Sequence, residues 1–195
     1  MSLFERGDDD GDDVVLEVRL NARLGPVQRG DRYEDPLAYF LEARFPGSVV
    51  TGGGTLLSTL GEPLSCRVDA HIVGDPADVL EATVGFLDDV GAPRGSTARV
   101  DGLPEREFGT TDGVAVYLNG KDLSDEVYAT HDVNELLDDL QDSLGDTGGL
   151  QSYWEGPDDT AVYLYGPSAE LMLIRVSDLL AKHPLAQMSR VEPIT

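Results

Sequence analysis

Residue types that commonly carry chemistry are sparse in this chain. The three histidines, His71, His131 and His183, fall in a strand-like stretch, ahead of a helix and at a helix end. None has the H-x-x-x-H or H-E-x-x-H spacing that turns two imidazoles onto one ion, so no metal centre is expected. His183, beside Pro184 at a helix C-terminus, reads as a dipole contact, and surface or capping roles suit all three better than catalysis. Cys66 is the one cysteine, which excludes an intrachain disulfide and a Cys-based zinc site. Nucleophilic catalysis needs a base within reach of the thiol. His71 lies five residues on, and an odd separation along a strand sends two side chains to opposite faces. Cys66 therefore reads as a buried structural thiol. No G-x-S-x-G elbow occurs, and no catalytic residue is expected.

The glycine-rich stretches do no better as phosphate cradles. Thr51-Gly52-Gly53-Gly54-Thr55 is followed by no lysine and is flanked by strand-like runs, while Gly91-Ala92-Pro93-Arg94-Gly95-Ser96 offers a single arginine. Both read as backbone turns, and no cofactor is expected.

What recurs is acid. Thirty-seven Asp and Glu stand against 14 Lys and Arg, a formal net charge of -23. Such a chain repels phosphate backbones and anionic membranes unless it gathers a basic patch. The nearest thing to one is Arg19, Arg23, Arg29 and Arg32, which acids surround. Neither nucleic acid nor a membrane surface is therefore an expected partner. A basic protein, a cation or a high-salt cytoplasm remain.

The acids cluster at Asp88-Asp89, at Asp122, Asp125 and Glu126, at Asp138, Asp139 and Asp142, and at Asp158-Asp159. After Asp132, the spacing of Val133, Leu136, Leu137, Leu140 and Leu144 predicts a helix with one apolar stripe. Glu135, Asp138, Asp139 and Asp142 then share its polar face. Like charges three and four residues apart cost a helix roughly a few tenths of a kcal/mol per pair, and a basic partner would relieve that cost. Tyr153, Trp154, Tyr163 and Tyr165 lie on a predicted hairpin around Gly156, where alternation turns Tyr163 and Tyr165 to one face and Tyr117 and Tyr128 could join them. An aromatic sheet face can stack single-stranded RNA, but that also needs bases for the phosphates. Aromatics beside acids suit arginine or lysine of another protein better.

Two halves carry these residues. Val14, Leu16, Val18 and Leu20 alternate with polar residues and predict a strand over 14–23. Asp35-Pro36 opens a helix, two strand-like runs follow at 48–59 and 63–74, Asp75-Pro76 opens a second helix, and 96–100 is a short strand. From Gly113 the order repeats: strand, helix, hairpin, a helix from Ser168, and a last strand over 187–194. Gly74-Asp75-Pro76-Ala77-Asp78-Val79 is echoed by Gly166-Pro167-Ser168-Ala169-Glu170-Leu171 at an offset of 92. The expected fold is α+β: two tandem ferredoxin-like halves, each β-α-β-β-α-β with an antiparallel sheet, over 14–100 and 112–195, joined by a linker over 101–111. Exposed sheet edges could pair with each other or with a second copy. Residues 1–13 read as a solvated acidic tail. They have no signal-peptide core, and they are no calcium loop, because Arg19 stands where the bidentate glutamate belongs. No apolar run approaches the roughly 20 residues that span a bilayer, so the expected compartment is the cytoplasm.

Gly91-Ala92-Pro93-Arg94-Gly95-Ser96, the stretch Ala115 to Leu123 (AVYLNGKDL) and the stretch Tyr153 to Tyr165 (YWEGPDDTAVYLY) resemble an uncharacterised bacterial family of hypothetical proteins. That resemblance implies a bacterial source and carries no activity. In general character the chain is also similar to immunity proteins, acidic α+β proteins that block basic toxins by covering their active sites. The leading expectation is a non-enzymatic module that captures a basic protein, a toxin among the candidates. Its contact residues would be Glu135, Asp138, Asp139, Asp142, Tyr153, Trp154, Asp158, Asp159, Tyr163 and Tyr165. The alternatives are an enzyme or small-ligand protein with a cleft between the halves, and an ordinary halophile protein whose acidity answers to salt.

Overall fold

In a computed structural model, which describes residues 14–194, the alternation at the start of the chain forms β1 (Val14–Leu20). Leu16, Val18 and Leu20 are buried and Glu17 and Arg19 face outward. The proposed acidic tail lies outside the described residues. After Gly25 the chain turns into α1 (Pro26–Arg29), a π-helical turn (Gly30–Glu34) and α2 (Asp35–Arg44). The helix thus starts at Pro26 rather than at Asp35. A proline inside a helix lacks an N–H and crowds the carbonyl four residues back. The π turn just before Pro36 widens the helix there, with the Asp35 N–H bonding to the carbonyl of Gly30.

There follow β2 (Val49–Leu57), β3 (Pro63–Ile72), α3 (Pro76–Asp89) and β4 (Ser96–Val100). Asp75 caps α3 by accepting from the N–H groups of Ala77 and Asp78 at 3.0 and 3.1 Å. The expected linker holds a further short strand, β5 (Arg106–Phe108), which pairs with β4. The second half contains β6 (Asp112–Asn119), α4 (Asp125–Thr130), α5 (Val133–Leu144), β7 (Gly149–Glu155), β8 (Asp159–Gly166), α6 (Ala169–Lys182) and β9 (Arg190–Ile194). α4 was not expected, since six residues are too few to show a helical period.

Two antiparallel sheets result, in the orders β2-β3-β1-β4-β5 and β7-β8-β6-β9. Without β5, each follows the strand order of a ferredoxin-like sheet. The sheets do not merge edge to edge. β6 and β8 are buried on both faces. One face, with Val114, Val116, Val162 and Leu164, packs on Leu136, Leu140 and Leu144 of α5 and Met172 and Val176 of α6. The other, with Ala115, Tyr117, Ala161, Tyr163 and Tyr165, belongs to the core that also holds Leu20, Leu24, Tyr33 and Leu41 of the first half. That shared core turns the junction into an interior. Cys66 is buried there too, its thiol donating to the carbonyls of Ala22 and Leu24 at 3.2 and 3.4 Å, and burial pushes its pKa up. Among the described residues no helix is long and apolar enough to cross a membrane.

Candidate functional site

The most concentrated chemistry lies where the halves meet. Period two along β8 turns Tyr163 and Tyr165 to one face, and Tyr117 on β6 lies opposite Ala161 on that same face. The first half supplies Arg23, just after β1, and Glu62, in the turn between β2 and β3. That turn is pinned by the Ser58 N–H to the Glu62 carbonyl at 2.8 Å and by the Glu62 N–H to Ser58 Oγ at 3.0 Å. Glu62 Oε1 accepts from Arg23 Nη1 at 2.7 Å, from Tyr117 OH at 2.7 Å and from Tyr163 OH at 2.9 Å. The Arg23 backbone closes the clasp: its N–H donates to Tyr165 OH at 2.8 Å and its carbonyl accepts from Ser152 Oγ at 2.5 Å. Arg190 lies over the Tyr117 ring at 3.7 Å.

Electrostatics follow from burial. Desolvation raises the pKa of Tyr163, and the Glu62 carboxylate beside it adds to the rise. Tyr165 is raised mainly by desolvation, and Tyr33 is pushed up to about 12 the same way. At Arg23 desolvation works against the charge, but Tyr117 and Glu62 outweigh it and the guanidinium sits above its usual value. Three neutral phenols and one ion pair thus form one network, in which Glu62 Oε1 takes three protein donors and the buried Arg23 Nε is left without a partner among the described residues. Its chemistry is that of a clasp.

Next to it lies a cleft of about 530 Å³. Tyr153 and Trp154 of β7 line it together with Gly53, Gly54, Thr55 and Leu57 of β2, and Gly25, Pro26 and Arg29 also contribute. Arg29 is buried, its Nε bonded to Glu34 at 2.8 Å and its Nη1 to Thr55 at 2.8 Å. None of the described residues that line this cleft is an acid, and Glu34, which holds Arg29, lies against Gly53 beside it.

The ten expected contact residues separate into three groups. Glu135, Asp138, Asp139 and Asp142 are exposed on α5, and none has an ion-pair partner among the described residues. Asp158 and Asp159 are engaged within the chain, Asp158 with Lys121 at 2.8 Å and Asp159 with Arg190 at 3.1 Å. Of the aromatics, Tyr153 is half exposed and Trp154 lines the cleft, whereas Tyr163 and Tyr165 are buried in the clasp. The expectation that those two tyrosines present an outer binding face is corrected: the first half covers the face they share. Tyr128 joins the opposite face, against the core of α5 and α6.

Sequence reasoning missed Glu62, and it weighed Arg23 and Arg29 only as part of a basic patch that acids surround. The available signal was Glu62 itself, the first charge after an uncharged stretch over 45–61. The strands also gather Arg19, Arg67 and Arg99 on the outer face of the first sheet, but Glu17 and Asp69 interleave with them.

No family model and no curated protein matches the chain. Among solved structures it is similar to the regulatory subunit of aspartate kinase from Thermus thermophilus, at 17% identity and a TM-score of 0.27 over 85% of this chain and 92% of that one. It is also similar to the first two RRM domains of yeast poly(U)-binding protein, at 10% identity and 0.25 over 93% and 99%, and to protein BT0572 from Bacteroides thetaiotaomicron, at 9% identity and 0.27 over 93% and 92%. Likenesses of this strength carry no functional argument, and the site is read from its own residues.

Proposed function

We propose that the chain consists of two tandem ferredoxin-like halves clasped into one body, and that this body is a non-enzymatic acidic module which captures a basic protein, a toxin among the candidates. The observation that carries the reading is a contrast between two sets of acids. Glu34, Glu62, Asp112, Asp158 and Asp159 each hold a cation of the chain, whereas Glu135, Asp138, Asp139 and Asp142 stand exposed on one helix face and hold none among the described residues. Tyr153 lies opposite Val162 in the register, on the α5 side of the second sheet, and is half exposed. The buried tyrosines support this face only indirectly, by holding the sheet that carries α5.

A field of this sign speeds encounter and rejects acidic competitors more than it adds affinity. Reversing Asp138, Asp139 and Asp142 to lysine is expected to slow association with a basic partner about 10-fold or more at low salt and to leave dissociation less affected. Surface-plasmon kinetics at two ionic strengths would read this. An unchanged on-rate removes α5 from the interface.

One observation favours a second reading. A cleft between the halves, with a buried arginine and an aromatic wall, is suited to a small ligand. Trp154 is the only tryptophan, so its emission reports directly on the cleft. Titration with aromatic carboxylates is expected to shift or quench that emission saturably if the cleft is a site, and a flat response across the panel discards this reading.

A further inference from the structure

Four strands form the outer edges of the two sheets, and three of them are blunted. β5 has only 3 residues and carries Arg106 and Glu107. β9 carries Arg190, Glu192 and Pro193. β7 ends in Glu155, and α5 reaches it through the Gln141 side chain, which accepts from the Leu150 N–H at 2.9 Å. β2 is different. It runs for 9 residues without a charge or a proline, inside the longest uncharged stretch of the chain, the 17 residues 45–61. Val49, Leu56, Leu57 and, in the following turn, Leu60 are 55%, 58%, 53% and 66% exposed. A long edge with free N–H and C=O groups and apolar flanks is a template for another strand, and proteins normally block it with charge or proline.

The sequence of β2 specifies which strand. Val49-Val50-Thr51-Gly52-Gly53-Gly54-Thr55-Leu56-Leu57 reads alike in both directions about Gly53: two aliphatics, a threonine, three glycines, a threonine, two aliphatics. Antiparallel pairing with a second copy sets Gly53 on Gly53, Thr51 on Thr55, and the valine end of each strand on the leucine end of the other. Threonine and aliphatic pairs of that kind stabilise cross-strand contacts. A bulge at Thr51 twists the valine end and leaves residues 52–56 in regular register with β3. Charge bears on the same place, because two chains of -23 each repel one another, and β2 is an edge strand that brings no carboxylate of its own to the pairing. We infer that β2 is a homodimer interface, across which two copies pair antiparallel about Gly53 and join their five-stranded sheets into one continuous sheet.

Sedimentation velocity of the full chain across a range of concentration and KCl tests this. The expected result is a monomer–dimer equilibrium that shifts toward dimer as salt screens the repulsion. Val49→Lys/Leu57→Lys, at two exposed positions that are partners in this register, faces each lysine with another across the two-fold pairing and is expected to weaken the dimer about 100-fold. Leu171→Lys, at an equally exposed site on α6, is expected to leave it intact. Amide exchange on the unmodified chain gives a second readout, with protection over 50–57 rising with protein concentration. A monomer under all conditions overturns the inference, as does concentration-dependent protection on β7 or β9 in place of β2.

Discussion

Replacing Glu62 with alanine is expected to cost about 3 kcal/mol of stability, within the range measured when one partner of a buried ion pair is removed. The size follows from what is left behind. Arg23 and Glu62 are each only 16% exposed in their side chains. Without the carboxylate, a guanidinium remains in the interior, and the phenols of Tyr117 and Tyr163 lose their shared acceptor. Glu62→Gln keeps an acceptor and removes the charge, so its cost is expected to be smaller, about 1 to 2 kcal/mol. Equilibrium urea unfolding reads both. Because Tyr163, Tyr165 and Ala115 share one core with the first half, the transition should stay single in each variant and simply move to lower urea. A loss under about 1 kcal/mol for the alanine variant would mean that water replaces the clasp at little cost.

The second large effect lies at alkaline pH. Tyr33, Tyr163 and Tyr165 all have pKa values raised above the ordinary 10.0 in the folded chain. The native state therefore keeps phenolic protons that the unfolded chain has already released. Their contribution to stability is complete below pH 10 and is lost as pH rises toward the folded values, about 12 for Tyr33. Each such tyrosine removes about 1.4 kcal/mol per pH unit in that window, and three together remove about 4. Against a typical stability of roughly 5 to 15 kcal/mol, this is enough to unfold the protein within two or three pH units. Tyrosinate absorbance and loss of circular dichroism should rise in one cooperative step. Phenol titration that precedes unfolding would place these hydroxyls in contact with solvent.

Local patterns made much of this legible. Period-two alternation located β1, and the leucine spacing after Asp132 located α5 and turned its acids outward, as the structure has them. The faces of Tyr163 and Tyr165 relative to Val162 and Leu164 were also readable from alternation. Whether their face met water was not. The clue was the continuous apolar character of β6 and β8, GVAVYL and TAVYLY, which marks strands covered on both sides. The clasp itself was hidden for a different reason. Arg23 and Glu62 lie 39 residues apart and Tyr163 lies 101 beyond Glu62, so only the packing of one half on the other brings them together. α1 was missed because Asp35-Pro36 looks like a helix start, whereas a π turn lets the helix run through that proline. Arg19, Arg67 and Arg99 come from three separate strands, and no linear run announces their common face.

The placement of Cys66 has one more consequence. The thiol points into the interior between β1 and the segment leading to α1, its proton shared with two carbonyls, and it is the sole sulfhydryl of the chain. Only a molecule that has opened its first half can offer it to an alkylating reagent, since burial both covers the thiol and, by raising its pKa, keeps thiolate scarce while that half is closed. The rate of modification is therefore a stopwatch on spontaneous breathing of that half. It is built into the natural chain at a single position, and it runs without a label having to be introduced.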